Sequence, residues 1–183
     1  DLIRTFCLPG DQPLYCQQED GQVVLQQISD YCPGELVLTF DFTKKTFAFV
    51  RPQAFTRRHY AGRICHVQVV GNGVIETTAD HLFFVADEDE YILKRADELC
   101  EGDLIPVARD FESLHNAKRI LKQDPSYNRL VQVPHRMARL EQKQVTHLPI
   151  REITTRDFEG EVYDFVIPST QNFVAGQLPF VIH

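Results

Sequence analysis

Residues 63–78 read RICHVQVVGNGVIETT, and this stretch predicts the fold class. Two runs rich in Val, Ile and Thr, residues 63–70 and 74–78, flank the tripeptide Gly71-Asn72-Gly73. An Asn-Gly dipeptide between two β-forming runs is a strong hairpin signal, because a type I′ turn needs a positive φ at two positions. The stretch therefore predicts two antiparallel strands joined by a tight turn.

Short runs of the same character recur on both sides of this hairpin. They are separated by Pro-Gly, Asp-Gly and similar turn signals, and one helical turn is predicted over residues 96–103. Many short strands with frequent turns favour an all-β (mainly β) fold over an alternating α/β fold. The other predicted strands are residues 23–25, 36–42, 46–50, 82–85, 104–107, 148–154, 161–167, 172–175 and 180–182.

The composition is that of one acidic globular domain. The chain has 183 residues and a formal net charge of −7, which argues against general electrostatic capture of nucleic acid. No apolar run approaches the ~20 residues that a membrane span needs, and the N-terminal residues lack a signal-peptide pattern. We therefore expect no nucleic-acid partner, no membrane partner and a cytoplasmic location.

The five cysteines argue against a disulfide framework. They are an odd number, at irregular spacings and without a CxxC pair, so a reducing compartment is favoured. The candidate zinc ligands are Cys16, Cys32, Cys65 and His66, and their spacing in the sequence fits no zinc-ligand template. We expect neither a metal nor a cofactor.

Residues 109–144 differ in character from the strands around them. Apolar residues at a spacing of three to four over residues 109–123 predict an amphipathic helix that ends before Asp124-Pro125. The basic residues 136–139 and Lys143 are interpreted as a solvated helix face. We interpret this stretch as a small helical and loop insertion within one domain.

Three further stretches carry residues suited to acyl transfer. Cys7 is a candidate nucleophile, and Thr78 and His81 form a Thr-x-x-His turn whose side chains can converge on one peptide bond and polarise it. Asp164 lies in an otherwise apolar strand, where a partly buried carboxylate could orient and tune a nucleophile.

These motifs, in this order, resemble those of an intein, a protein-splicing element of the Hedgehog/intein (Hint) fold. The motifs are CLPGD at 7–11, TADH at 78–81, ELCEGD at 98–103, VYDFVIP at 162–168, NFVAG at 172–176 and VIH at 181–183. The resemblance covers residues 7–105 and 150–183 and implies a horseshoe-like β fold with a pseudo-two-fold arrangement. It also implies a mini-intein, because the insertion is far too short for a homing endonuclease.

The resemblance implies a role for each site residue. Cys7 attacks the carbonyl of Phe6 in an N-to-S acyl shift, Thr78 and His81 polarise that peptide bond, and His81 protonates the departing amine. Asp164 assists the nucleophile. His183 assists cyclisation of a terminal asparagine after transesterification, and no catalytic metal is implied.

The same resemblance implies a division of the chain. Residues 1–6 are a remnant of the N-terminal flanking segment (the N-extein), and residues 7–183 are one splicing domain with a variable insertion at 109–147. The partners are flanking extein segments in cis, and the domain is expected to be a monomer. The reaction is a single-turnover autocatalytic rearrangement.

Two departures from the family pattern bear on the C-terminal step. Gln171 stands where the family often has a histidine, and the asparagine expected after His183 is missing, so we expect arrested splicing. Asp80 and Gln171 are secondary candidate site residues. The alternatives are a Hint-type autoprocessing domain (Hedgehog-like or bacterial intein-like) that cleaves without ligation, a cysteine hydrolase acting on other molecules, and a non-catalytic β module.

Overall fold

The computed structural model describes residues 6–108 and 145–183, and these residues are almost entirely β-strand. Two single turns of 3-10 helix occur, Ile28–Asp30 and Ala96–Glu98, and the described residues contain no α-helix. The strands are β1 (Leu8–Pro9), β2 (Pro13–Gln17), β3 (Val23–Gln27), β4 (Leu36–Asp41), β5 (Thr46–Val50), β6 (Ala54–Val69), β7 (Val74–Thr78), β8 (Leu82–Asp87), β9 (Glu90–Arg95), β10 (Leu104–Ala108), β11 (Val145–Val166), β12 (Phe173–Ala175) and β13 (Phe180–Ile182). The predicted all-β class is confirmed, while the helix predicted at 109–123 and the basic residues 136–139 lie outside the described residues.

The hairpin predicted from residues 63–78 is present as β6 and β7, with Val67 opposite Ile75. Its turn differs in detail, because the positive φ angles fall on Gly71 and Asn72, one residue earlier than the Asn-Gly pair suggests. Gly73 is required for space instead, since a Cβ at this position would overlap Cδ1 and Cγ of Leu178.

The long antiparallel pair of β6 and β11 is the main departure from the predicted strands. Sequence patterns predict two separate strands at 148–154 and 161–167. In the structure, β11 is one strand from Val145 to Val166. It pairs with β6 in a register that places Val166 opposite Ala54. The polar residues between the two predicted strands conceal this continuity, because they face solvent and form cross-strand ion pairs. Arg63 with Asp157 is one such pair, at 3.9 Å.

The sheet order is β5-β4-β2-β12-β13-β10-β11-β6-β7; β13 lies inside this order, and β1 pairs with β11 outside it. β1 pairs with β11, where Leu8 lies opposite Tyr163. β13 pairs with β10, β12 and β8, where Ile182 lies opposite Phe83. Because β8 follows the Thr78–His81 turn directly, this topology brings Cys7, His81 and His183 into one region of the molecule.

The core consists of the inward side chains of these strands, and its largest fully buried members are aromatic. Tyr15, Phe40, Phe83, Phe173 and Phe180 are each at most 1% exposed. Their burial removes a large apolar area from water at roughly 25 cal/mol per Å², which is the principal term that holds the strands together. Thr78 and Asp164 lie on β7 and β11, and Cys7, His81 and His183 lie directly next to β1, β8 and β13.

Candidate active site

Thr78 holds the backbone of Cys7 at two points. The Cys7 N–H donates to Oγ1 of Thr78 at 3.1 Å, and the Thr78 N–H donates to the Cys7 carbonyl at 2.9 Å. Both residues are buried, so these bonds are shielded from competing water. The amide nitrogen that joins Phe6 to Cys7 is thereby fixed in one orientation.

The hydroxyl of Thr78 also donates to Oδ1 of Asp80 at 2.9 Å. A threonine hydroxyl has one proton and accepts through its lone pairs, so it can accept from Cys7 while it donates to Asp80. Cys7, Thr78 and Asp80 therefore form a directed chain of hydrogen bonds that starts at the amide nitrogen of Cys7.

The turn that carries Asp80 and His81 is braced by the 3-10 turn Ala96–Glu98. The N–H of Ala96 donates to the His81 carbonyl at 2.8 Å, and the N–H of Asp97 donates to the Ala79 carbonyl at 3.0 Å. The helical turn predicted at 96–103 thus holds the Thr-x-x-His turn in place through backbone hydrogen bonds.

His81 is fully buried between the two ends of the described chain. Neither ring nitrogen reaches full hydrogen-bond geometry with a described residue, although the backbones of Phe6 and His183 lie close enough to raise its pKa. Burial outweighs them and, together with the positive charge that His183 carries when it is protonated, lowers the pKa of His81 to about 3. The imidazole is therefore neutral at pH 7.

Asp164 lies on β11 opposite Thr56, whose hydroxyl donates to the Asp164 carbonyl at 3.3 Å. Burial raises the pKa of the Asp164 carboxyl to about 7, against the opposing effects of the Phe165 backbone and of the Arg58 charge. Arg58 on β6 lies opposite Val162 on β11, and Val162 is two residues before Asp164. The side chains of Arg58 and Asp164 therefore share one face of the sheet. The carboxyl group can therefore exchange a proton near neutral pH.

The thiol of Cys7 is only 1% exposed. Burial raises its pKa to about 12, the charges of Asp164 and Asp80 act in the same direction, and the Arg58 charge lowers it. The resting group is therefore a thiol, and a base must take its proton as the sulfur attacks.

A cavity of about 310 Å³ adjoins these groups on the His183 side. Phe6, Asp164, Gln171 and His183 contribute to its lining, together with apolar walls from Phe165, Val166, Ile167, Pro168 and Phe173. His183 is partly buried, and this burial lowers its pKa, so its imidazole is neutral at pH 7. The cavity thus connects the residue before Cys7 with the last histidine of the sequence.

Gln171 occupies the wall of this cavity with a φ of 56°. The next residue, Asn172, is buried and fixes the loop by accepting from the Phe40 N–H at 2.8 Å and donating to the Phe40 carbonyl at 2.7 Å. Its side chain also donates to the Thr170 carbonyl. The Asn of the NFVAG motif is thus an anchor that sets the position of Gln171.

The structure brings most of the sequence-predicted site residues together. Thr78 contacts Cys7 and Asp80, the backbones of Phe6 and His183 act on the ring of His81, and the charge of Asp164 acts on Cys7. Gln171 shares only the cavity with these groups. Arg58 was missed by sequence reasoning, since a single Arg in a strand gives no signal until its register with β11 is known.

The described residues hold no cluster of three or more potential metal ligands, and all five cysteines are free thiols. Among the same residues, no helix is long and apolar enough to cross a membrane. The described site contains a thiol, two imidazoles, carboxyl groups and a hydroxyl.

The described residues have the all-β fold of the Hint type, which solved intein structures share. The crystal structure of a transcription factor IIB Mvu mini-intein is similar to this chain over 97% of its residues and 99% of the other chain, with a TM-score of 0.71 and 18% identity. An intein from a hyperthermophile is similar over 97% and 98%, with a TM-score of 0.72 and 14% identity. A bacterial intein-like domain from Clostridium thermocellum is similar over 97% of both chains, with a TM-score of 0.63 and 16% identity.

The family model of the intein splicing domain matches residues 18–183, so the chain belongs to this family. It is an intein without a homing endonuclease, its function is protein splicing, and the segments that flank an intein are its partners in cis. No match was found among curated proteins. Cys7 precedes the matched residues, so its role depends on the geometry described above.

Proposed function

We propose that the chain performs the first step of splicing at the Phe6–Cys7 bond, with Cys7 as the nucleophile. The observation that carries this proposal is the double hydrogen bond between Thr78 and the backbone of Cys7. It fixes the bond to be broken while the Cys7 thiol is buried beside the charges of Asp164 and Arg58. Fixing the reactants in this way lowers the entropic cost of attack.

The proposed proton acceptor for the thiol is Asp164. Its pKa of about 7 means that a substantial fraction is ionised at neutral pH, and its charge acts directly on Cys7. Because the pKa of the thiol is about 12, the thiolate forms only as it attacks the Phe6 carbonyl.

The proposed role of His81 has two stages. With a pKa of about 3 it is neutral at rest and can polarise the Phe6 carbonyl as a hydrogen-bond donor. Negative charge that develops on this carbonyl oxygen raises the pKa of the adjacent imidazole, which can then hold a proton and pass it to the departing Cys7 amine. This refines the sequence-based assignment of His81 as a simple acid.

For the second junction we propose that His183 assists cyclisation of an asparagine that follows it, after transesterification. The neutral state of His183 and its place on the cavity wall support this role. In this proposal residues 1–6 belong to the N-extein, residues 7–183 are the splicing domain, and residues 109–147 are a variable insertion whose last three residues form the start of β11. We expect a monomer that needs no nucleic acid and works in the cytoplasm with its host protein.

Incubation with a small thiol followed by intact mass measurement tests the first step. The expected result is loss of residues 1–6 as a thioester of the added thiol, abolished by Cys7→Ala. Thr77→Ser on the same strand serves as a matched control, because the Thr77 hydroxyl donates to the Thr78 carbonyl and a serine retains this bond. An unchanged mass of the unmodified chain after prolonged incubation contradicts the proposal.

One observation favours a second candidate function, cleavage through a thioester without ligation. Gln171 lines the cavity where the family often has a histidine, and an amide cannot shuttle a proton near pH 7. Extending the chain with Asn-Cys and a reporter peptide after His183 separates the two functions. A ligated product supports splicing, and release of residues 1–6 with an intact C-terminal junction supports cleavage alone.

A further inference from the structure

We propose that Asp80 is a positioning residue that stabilises the amine released from Cys7, acting through the hydroxyl of Thr78. The inference rests on the proposed acyl shift and adds a residue to its mechanism. It is carried by the directed chain from the Cys7 N–H to Oγ1 of Thr78, at 3.1 Å, and from that hydroxyl to Oδ1 of Asp80, at 2.9 Å.

The direction of this chain follows from the protons available. An amide N–H can only donate, so the Thr78 oxygen must present a lone pair to Cys7. The hydroxyl proton then points away from Cys7, and the carboxylate of Asp80 accepts it. A hydrogen bond to a carboxylate is roughly twice as strong as one between neutral groups, and it makes the hydroxyl oxygen a better acceptor for the N–H.

The benefit of this arrangement grows along the reaction. In the starting amide the Cys7 nitrogen is neutral and nearly planar. When sulfur adds to the Phe6 carbonyl, the nitrogen loses its conjugation, and on protonation it becomes an amine that carries positive charge. A donor that gains positive charge binds more strongly to an acceptor backed by a carboxylate, so the chain stabilises the later state more than the starting state.

The bond changes balance without any other reactant. The bond from Sγ of Cys7 to the Phe6 carbonyl carbon forms, and the bond from that carbon to the Cys7 nitrogen breaks. The thiol proton is replaced by a proton gained at nitrogen, so the amide and the thioester are isomers and nothing is oxidised or reduced. The free α-amino group has an ordinary pKa near 7.7–8.0, so at pH 7 it takes up one further proton from the solvent and carries a positive charge.

Asp80 has a second effect of opposite sign, which makes the inference sharply testable. Its negative charge is one of the factors that raise the pKa of the Cys7 thiol. If Asp80 acted only on the thiol, its removal would speed the reaction. If it acts on the amine through Thr78, its removal slows the reaction even though the thiol becomes easier to ionise.

The experiment compares Asp80→Ala and Asp80→Asn with the unmodified chain in the thiol-induced cleavage assay. Asp80→Ala removes both the acceptor and the charge, and we expect a rate roughly 10-fold to 100-fold lower. Asp80→Asn retains an oxygen that accepts from Thr78, and we expect an intermediate rate. Asp157→Asn is the matched control, because its carboxyl group is 96% exposed on the β6–β11 pair, away from the site.

Two further measurements distinguish positioning from loss of structure. Thermal unfolding shows whether each variant is folded, and alkylation of Cys7 against pH, followed by peptide mapping, gives the pKa of its thiol. We expect both Asp80 variants to be folded, to have a lower pKa at the Cys7 thiol than the unmodified chain, and to cleave more slowly. Equal or faster cleavage by Asp80→Ala overturns the inference alone, as does an Asp80→Asn rate no higher than that of Asp80→Ala. No cleavage by the unmodified chain overturns the proposed function as well.

Discussion

Around Cys7, both backbone groups of the residue are hydrogen-bonded to Thr78, whereas His183 lies on the wall of a cavity of about 310 Å³ with largely apolar sides. The first region holds a peptide bond in one orientation before any reaction. The second offers room for chain that must be accommodated or rearranged. This difference suits a reaction in which the Phe6–Cys7 bond rearranges where it already lies. The step beside His183 would then depend on groups that move into the cavity during the reaction.

The two regions meet at His81 and Asp164. The backbones of both Phe6 and His183 raise the pKa of His81. The charge of Asp164 raises the pKa of the Cys7 thiol, and Asp164 also lines the cavity. Neither residue can change its protonation state without affecting both regions. The following predictions test whether the regions are as distinct as their hydrogen bonding suggests.

Thr78→Val should have the largest effect. It removes the hydroxyl, leaves the buried Cys7 N–H without this acceptor, and disconnects Asp80 from the nitrogen. We expect thiol-induced cleavage to slow roughly 100-fold to 1,000-fold, measured by intact mass. Thr78→Ser retains the hydroxyl and should recover most of the rate. A Thr78→Val rate within a few-fold of the unmodified chain would show that the fixed orientation of Cys7 is not required.

Asp164→Asn should stabilise the folded state at high pH while it slows cleavage. Burial raises the pKa of Asp164 from 3.8 to about 7, so the folded state binds the proton more tightly than the unfolded state. The corresponding stability is present below pH 4 and is lost as the pH rises through 7. We therefore expect the variant to be more stable by roughly 4 kcal/mol at pH 8, with no difference near pH 4, as measured by urea unfolding. A difference independent of pH would contradict the buried-carboxyl interpretation.

Much of the fold could be predicted from the sequence because it is local. Strands such as β5 and β7 are runs of β-forming residues bounded by turn signals, and both have the predicted bounds. The continuity of β11 could not be predicted, since most of residues 155–160 are polar and pair across an exposed face with β6. β2 and β9 were missed because PLYCQ and EYILKR contain few β-branched residues and owe their conformation to neighbouring strands.

The site likewise has features that the sequence predicts and features that it does not. Cys7, Thr78, His81 and Asp164 belong to motifs with recognisable spacing, so sequence was enough to nominate them as candidates. Their protonation states were not predictable, because the pKa of His81, about 3, depends on complete burial that only the assembled sheets provide. The clamp between Asn172 and Phe40 joins residues far apart in the chain and leaves no sequence signal.

Gln171→His should speed C-terminal cleavage without speeding cleavage at the Phe6–Cys7 bond. The φ of 56° at this position is one that histidine tolerates better than most residues, so the substitution should fit the loop that Asn172 anchors. In a chain extended by asparagine after His183, we expect C-terminal cleavage to rise roughly 10-fold, because imidazole can shuttle a proton at neutral pH. Gel analysis of both junctions checks this. A matching rise at the Phe6–Cys7 bond would mean that the two regions are more strongly coupled than the geometry indicates.

Arg58→Gln should have the smallest effect and tests electrostatics in the first region. The charge of Arg58 lowers the pKa values of both Cys7 and Asp164, so its loss should raise both. Because ionisation of the thiol becomes harder, we expect cleavage roughly threefold to tenfold slower at pH 7 and a rate profile displaced to higher pH.

The neighbouring Arg57 provides the matched control for this prediction. Its side chain is 69% exposed and lies 4.0 Å from Glu161, on the opposite face of β6 from Arg58. Arg57→Gln removes the same charge one residue away, so an electrostatic effect limited by distance should leave its pH profile close to that of the unmodified chain. If the two variants shift the profile equally, the effect of Arg58 is one of overall charge, and the face it shares with Asp164 has no special part in activating Cys7.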